Sequence, residues 1–121
     1  MSRRRVVVTG VGVVSALGRN AREFWQSLVE GRSGIGPITQ LDVSALRFKN
    51  GGEARNFNPA EHFDQKQIDF LDRFAQFALV AAREALKDSG VELTPELRAR
   101  SGIVTGSCVG GKITEDEGFQ N

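Results

Sequence analysis

Residue types that commonly carry chemistry are scarce in this 121-residue chain. Cysteine and histidine occur once each, and tyrosine is absent. The lone Cys108 excludes an intrachain disulfide and is consistent with a reducing compartment. No nucleophile or carboxylate stands at an identifiable catalytic spacing from His62, so we expect that residue to be exposed or to cap a helix.

Long apolar runs and an excess of one charge are also missing. No apolar stretch approaches the ~20 residues of a membrane-spanning helix, and residues 6–17 are interrupted by polar residues and glycine without a convincing signal-peptidase site. Sixteen Lys and Arg against fifteen Asp and Glu give a net charge of +1. We therefore expect one cytoplasmic domain with no nucleic-acid or membrane partner.

Glycine, in contrast, is concentrated in a loop that organises the chain. Gly106, Gly110 and Gly111 follow a β-branched run, which predicts a short strand over residues 102–105 and then a turn able to approach a ligand closely.

Within this loop, Cys108 occupies the centre of a G-x-C-x-G pattern like that of a nucleophile elbow. A nucleophilic thiol needs a base or a positive field to lower its pKa, and the nearest cation is Lys112. The structural alternative is that Cys108 fills a small apolar slot, as buried free cysteines usually do.

The N-terminal region predicts a strand and offers a partial nucleotide motif. Residues 6–8 are three valines, which favours a short strand buried on both faces. Gly10 and Gly12 then match the start of G-x-G-x-x-G, but Ser15 replaces the third glycine. A nucleotide-binding α/β domain is therefore the weaker alternative.

Helix signals follow along the chain. Asn20 and Gly31 bound a predicted helix over residues 21–29 with one packed apolar face. Residues 33–59 read as loops with one short strand near residues 51–54. A single long helix is predicted over residues 64–89, from a D-x-x-Q capping box to Gly90.

The long helix is apolar around most of its circumference, which indicates burial inside a larger body. Asp72 and Arg73 interrupt this surface, and we expect a structural ion pair or a hydrogen-bonded anchor there. A last short helix is predicted over residues 95–98, with Thr94 as its N-cap and Pro95 at its first position.

Four motifs, in order and in register, resemble the N-terminal part of a β-ketoacyl-ACP synthase of the synthase II type. They are R-R-V-V-V-T-G-V-G-V-V-S-A-L-G (4–18), F-W-x-x-L-x-x-G-x-S-G-I (24–35), D-R-F-A-Q-F-A-L-x-A-A-x-E-A-L (72–86) and G-S-x-x-G-G (106–111). Together they extend across almost the entire chain.

This resemblance implies an α/β protein with the thiolase-like layered αβαβα fold, of which residues 1–121 would be an incomplete N-terminal part of the first half. It implies a homodimer that condenses an acyl-enzyme with malonyl-ACP, the acyl carrier protein being its partner. The nucleophilic cysteine and two histidines would lie beyond Asn121, so no catalytic residue, metal or cofactor is expected in this chain.

The resemblance also implies a role for the glycine loop in the acyl-chain pocket. Val109 aligns with an apolar residue of the acyl-chain pocket near the dimer interface, with Cys108 beside it at a position where the family has a small loop residue. Gly106, Ser107, Gly110 and Gly111 would shape the loop at this pocket and interface. A non-catalytic, chain-length-factor-like partner of a condensing enzyme is the main alternative.

Overall fold

A computed structural model of the chain describes residues 4–111. Two short strands pair antiparallel, with Gly36 opposite Gly51. In chain order, the elements are α1 (Ala21–Val29), β1 (Gly36–Pro37), β2 (Asn50–Gly51), a 3₁₀ turn (Pro59–Glu61), α2 (Gln65–Phe70), α3 (Arg73–Ser89) and α4 (Pro95–Ala99).

The helices begin where side chains can cap them. Asn20 Oδ1 accepts the N–H of Glu23 at 2.8 Å at the start of α1, and Thr94 Oγ1 accepts the N–H of Leu97 at 3.2 Å at the start of α4. Each bond satisfies a donor that the first turn leaves without a helical partner. The predicted starts of these two helices are confirmed.

The predicted helix over residues 64–89 is wrong in one respect, because it is two helices. The D-x-x-Q capping box is present at the start of α2, but Leu71 adopts an extended conformation (φ −94°, ψ 119°) and Asp72 caps α3 by accepting the N–H of Phe74 at 3.2 Å. The buried Gln76 donates to the Leu71 carbonyl at 2.8 Å. Local hydrogen bonds of this kind compete with helix continuation, and periodicity does not reveal them.

The two predicted β-branched strands do not form within residues 4–111. Both runs, residues 6–8 and 102–105, lack regular secondary structure there, and Val6 and Val104 are 93% and 99% exposed. β-Branched residues favour a pleated surface, but a strand also requires a partner strand. The strand expected near residues 51–54 is present only as β2.

Instead of joining a sheet, the N-terminal segment lies along α3. A Cβ atom at Gly10 would overlap the carbonyl oxygen of Ala85, and one at Gly12 would overlap that of Ala81. Glycine therefore lets this segment approach the helix backbone directly.

Two carboxylates of α3 hold the segment in place. Asp88 accepts the N–H of Val11 at 2.9 Å, and Glu84 accepts the N–H of Val13 at 2.8 Å. The other oxygen of Glu84 accepts the N–H of Ala21, at the start of α1, at 2.9 Å. One acidic side chain therefore joins three parts of the fold.

A small aromatic cluster forms the core. Phe57 and Phe63 are buried, and Phe57 packs edge-on against Phe77 with ring centroids 4.8 Å apart. The Arg73 guanidinium lies 5.0 Å from the Phe77 centroid and donates to the Ala54 carbonyl at 3.2 Å. The predicted hydrogen-bonded anchor is thus confirmed for Arg73.

The apolar face of α1 is less covered than predicted, and that of α3 is only partly covered by residues 4–111, in line with the predicted need for a larger body. On α1 the buried residue is Ser27, which donates to the Leu17 carbonyl at 2.8 Å, whereas Trp25 is exposed. On α3, Phe74, Leu79 and Leu86 are all partly exposed. Residues 4–111 therefore leave a large share of their apolar surface uncovered.

Candidate functional site

The glycine loop is described as far as Gly111. After α4 the chain has no regular secondary structure, and it then turns at residues 108–111. Ser107 Oγ accepts the N–H of Gly110 at 3.0 Å, which closes the turn. Gly111 has φ +88°, a conformation that side chains with a Cβ rarely adopt.

The turn packs against Phe74 at the start of α3. A Cβ atom at Gly110 would lie 2.7 Å from Cδ2 and 2.8 Å from Cε2 of the Phe74 ring, and one at Gly111 would lie 3.8 Å from Cε1. The contact requires a glycine at position 110, because no side chain fits between backbone and ring. Phe74 is therefore part of this site, and the loop motif alone gives no sign of it.

Val109 and Cys108 project from the turn. Val109 is 62% exposed, and the Cys108 thiol is free and exposed. The predicted apolar slot for Cys108 is therefore not formed within residues 4–111. The turn offers an apolar side chain, flanked by glycine, beside a half-exposed aromatic ring, which suits contact with an apolar ligand rather than proton transfer.

A separate cleft of about 460 Å³ is lined by residues near the start of α1, the 3₁₀ turn and α3, including Arg19, His62, Arg83 and Lys87. Arg83 donates to the His62 carbonyl at 3.1 Å, and its guanidinium lies 5.0 Å from the Phe63 centroid. His62 is exposed, as predicted, and its ring stacks on Phe57 at 5.4 Å. None of the glycine-loop residues up to Gly111 lines this cleft.

The glycines of the partial nucleotide motif serve packing. The positions that a pyrophosphate would need beside Gly10 and Gly12 are filled by the backbone of α3. No helix opens directly after these glycines, because α1 begins at Ala21. The geometry thus contradicts a dinucleotide site of the G-x-G-x-x-G type.

Within residues 4–111, the largest pKa shift lies outside the loop, at the start of α1. A side-chain hydrogen bond from Arg19, followed by one from the Arg19 backbone N–H, lowers the pKa of Glu23 to about 2. The Arg19 Nη2 to Glu23 Oε1 distance is 2.7 Å. This pair fixes the entry to α1 and is a structural feature.

Residues 4–111 contain neither a candidate membrane span nor a candidate metal site. Among the helices there, none has the length and apolar character needed to cross a bilayer. Within the same residues, no three His, Cys, Asp or Glu side chains are grouped so that they could hold a metal ion.

Comparison with known families gives a match along nearly the whole chain. Residues 3–121 match the family model described as "Beta-ketoacyl synthase, N-terminal domain". The chain is 45% identical over 111 residues to a 3-oxoacyl-[acyl-carrier-protein] synthase 2 of Coxiella burnetii, covering 92% of this chain and 27% of that protein. It is 36% identical over 118 residues to the synthase 2 of Synechocystis sp., covering 97% of this chain and 28% of that protein.

A solved structure, described as the ishigamide ketosynthase/chain length factor, resembles the chain in three dimensions. The TM-score is 0.68 at 38% sequence identity, over 79% of this chain and 23% of the other. The chain therefore spans about a quarter of the length of the relatives it matches.

Proposed function

Since this chain belongs to the β-ketoacyl synthase family, through its N-terminal domain, we propose that residues 1–121 are the N-terminal segment of a β-ketoacyl-ACP synthase. The observation that carries the proposal is the family match over residues 3–121, with the synthase 2 relatives aligned over the same length. We propose the layered αβαβα thiolase-like arrangement, homodimerisation and a cytoplasmic location on the same basis.

The proposed reaction is a decarboxylative Claisen condensation of fatty-acid, or related polyketide, biosynthesis. An acyl group is held as a thioester on a cysteine beyond Asn121, and malonyl-ACP loses CO₂ to give a carbanion. The carbanion attacks the thioester carbonyl, forms a carbon–carbon bond and releases the cysteine thiolate. Two histidines beyond Asn121 stabilise the developing negative charges.

In this scheme the described residues contribute binding rather than chemistry. Val109 lies in the acyl-chain pocket, with Cys108 beside it, and the glycine loop shapes the pocket near the dimer interface. Support comes from the exposed, apolar Val109 on a turn closed by Ser107 and flanked by Gly110. An apolar side chain on such a turn can contact an alkyl tail.

The test is condensation by the complete polypeptide from its native source, after its intact mass is measured. We expect a mass several times 13.2 kDa and release of CO₂ from malonyl-ACP that depends on acyl-ACP. A mass of 13.2 kDa, or a complete polypeptide that releases no CO₂ with any acyl-ACP, would contradict the proposed activity.

The acyl-pocket assignment has its own test. Val109→Phe adds bulk and should shorten the acyl chains accepted, whereas the similarly exposed Val29→Phe on α1 serves as a matched control. If both variants accept acyl chains of the same length, the assignment of Val109 to the acyl-chain pocket is wrong.

A second candidate is a chain-length-factor-like partner without catalysis, favoured by the structural similarity to a ketosynthase/chain length factor. The residue that aligns with the nucleophilic cysteine beyond Asn121 separates the two candidates. A cysteine there supports a synthase. A residue other than cysteine at that position supports the chain-length-factor-like partner, provided that condensation appears only after an active synthase is added.

A further inference from the structure

The relation between Phe74 and the glycine loop extends the acyl-pocket assignment. The two lie 36 positions apart, yet the Gly110 backbone lies so close to the ring that a Cβ there would be 2.7 Å from Cδ2. Val109 directly precedes Gly110, so the ring lies against the residue that adjoins Val109 in the chain.

Phe74 itself is held from the helix side. It is the second residue of α3, whose start is fixed by the bond from the Phe74 N–H to the Asp72 carboxylate at 3.2 Å. Arg73, the preceding residue, is anchored by its bond to the Ala54 carbonyl. A ring on such a fixed helix start limits movement of the loop toward α3.

The surroundings of Phe74 nevertheless leave room for a side chain of another size at this position. Phe74 is 45% exposed, so it is not enclosed by residues 4–111, and a smaller side chain would leave free space behind the loop. Loop displacement into that space would move Val109 with it, because one peptide bond joins Val109 to Gly110.

We infer that Phe74 is a positioning residue that sets how far the loop carrying Val109 can yield, and hence which acyl-chain lengths are accepted. The inference rests on the proposed function, in which Val109 contacts the acyl chain. It assigns selectivity to a residue on α3 that does not itself have to touch the substrate.

The experiment compares kcat/KM for a long and a short acyl-ACP in the complete synthase. Phe74→Ala should raise the long-to-short ratio by about tenfold, the low end of the discrimination that one methylene of pocket space provides. Phe74→Leu retains more bulk and should give a smaller shift in the same direction. Leu86→Ala is the control, since Leu86 is also half-exposed but lies twelve residues, or about 18 Å, farther along α3.

A purely structural role of Phe74 would lower kcat/KM for both substrates alike and leave the ratio unchanged, which would overturn the inference. The double variant Phe74→Ala/Val109→Ala adds a second criterion. Its effect on the ratio should differ from the sum of the two single effects, because both act through one loop. Additive effects would show that Phe74 acts elsewhere and would also overturn the inference.

The outcome for Val109→Phe distinguishes this inference from the acyl-pocket assignment. A ratio that changes with Val109→Phe but not with either Phe74 variant refutes the inference alone. A ratio insensitive to all of these variants refutes the acyl-pocket assignment, and with it the inference. Absence of condensation in the unmodified synthase refutes the proposed activity itself.

Discussion

The carboxylate of Glu84 accepts a hydrogen bond at 2.8 Å from the backbone N–H of Val13, 71 positions earlier in the chain. Its second oxygen accepts the N–H of Ala21 at 2.9 Å. A single carboxylate on α3 thus satisfies one donor of the N-terminal segment and one at the start of α1. Neither donor has a partner in regular secondary structure, so the fold depends on this side chain at two places.

Replacing that carboxylate gives the first prediction. Glu84→Gln keeps the size of the side chain but retains one oxygen, so one of the two part-buried N–H groups loses its acceptor. We expect a loss of about 1–3 kcal/mol in the free energy of unfolding, measured by chemical denaturation. Glu92→Gln, at an exposed carboxylate outside this arrangement, is the control. Equal stability of the two variants would show that Glu84 does not join these elements.

The contact between the N-terminal segment and α3 gives the second prediction. Gly12→Ala places a methyl group against the carbonyl oxygen of Ala81 and 2.8 Å from the Ala85 nitrogen, both backbone atoms that cannot move freely. We expect destabilisation of about 1–3 kcal/mol from overpacking. Gly102→Ala is the matched control, because no atom lies within 4 Å of its built Cβ. A Gly12→Ala variant with the same thermal midpoint as Gly102→Ala would contradict the described contact.

The sequence predicts the local features of this fold well, and the reason is physical. A cap such as Asn20 or Thr94 acts on residues two or three positions away, so the pattern and the contact lie in the same short stretch. The same holds for Gly90, whose left-handed conformation (φ +62°) ends α3 as predicted.

The sequence predicts the long-range features poorly. The sequence around Glu84 does not show that its carboxylate oxygens accept the N–H groups of Val13 and Ala21. The sequence of the glycine loop does not show that the loop packs against Phe74. The three N-terminal valines predict a strand from propensity alone, but propensity cannot supply a partner strand. Contacts between distant positions follow from the three-dimensional structure, whereas the family resemblance predicted the family, which is confirmed, and a role for the glycine loop, which stays a prediction.

The Arg19–Glu23 pair gives a prediction about pH. The hydrogen bond from the Arg19 side chain lowers the pKa of Glu23 from 4.5 to about 2. Because the folded-state pKa is below the unfolded value, the pair stabilises the fold above pH 4.5 and loses this contribution as the pH falls to about 2. The pair is partly exposed, so the contribution is small.

A carbon-13 NMR titration of the Glu23 carboxyl group checks the pair directly. Arg19→Ala should raise the pKa of Glu23 toward 4.5, whereas Arg22→Ala, on the same turn of helix, should leave it low. A Glu23 pKa that does not respond to loss of Arg19 would show that the hydrogen bond is absent in solution.

The capping box of α2 gives a prediction about local stability. Asp64 accepts the Gln67 N–H at 2.8 Å, while the Gln67 side chain accepts the Asp64 N–H at 3.2 Å. Asp64→Ala should cost about 1 kcal/mol and accelerate hydrogen exchange at the Gln67 amide. Asp64→Asn keeps an acceptor oxygen and should preserve most of the protection. Unchanged exchange in Asp64→Ala would contradict the cap.

The break between α2 and α3 has a consequence for insertions and deletions during evolution. A residue added within α2 leaves the start of α3 in register, because Asp72 re-establishes that start through its own bond to Phe74. A residue added between Asp72 and Phe74 would rotate the ring by about 100° around the helix axis and away from Gly110. Length variation among homologues should therefore be found before Asp72 and be rare in the two positions after it.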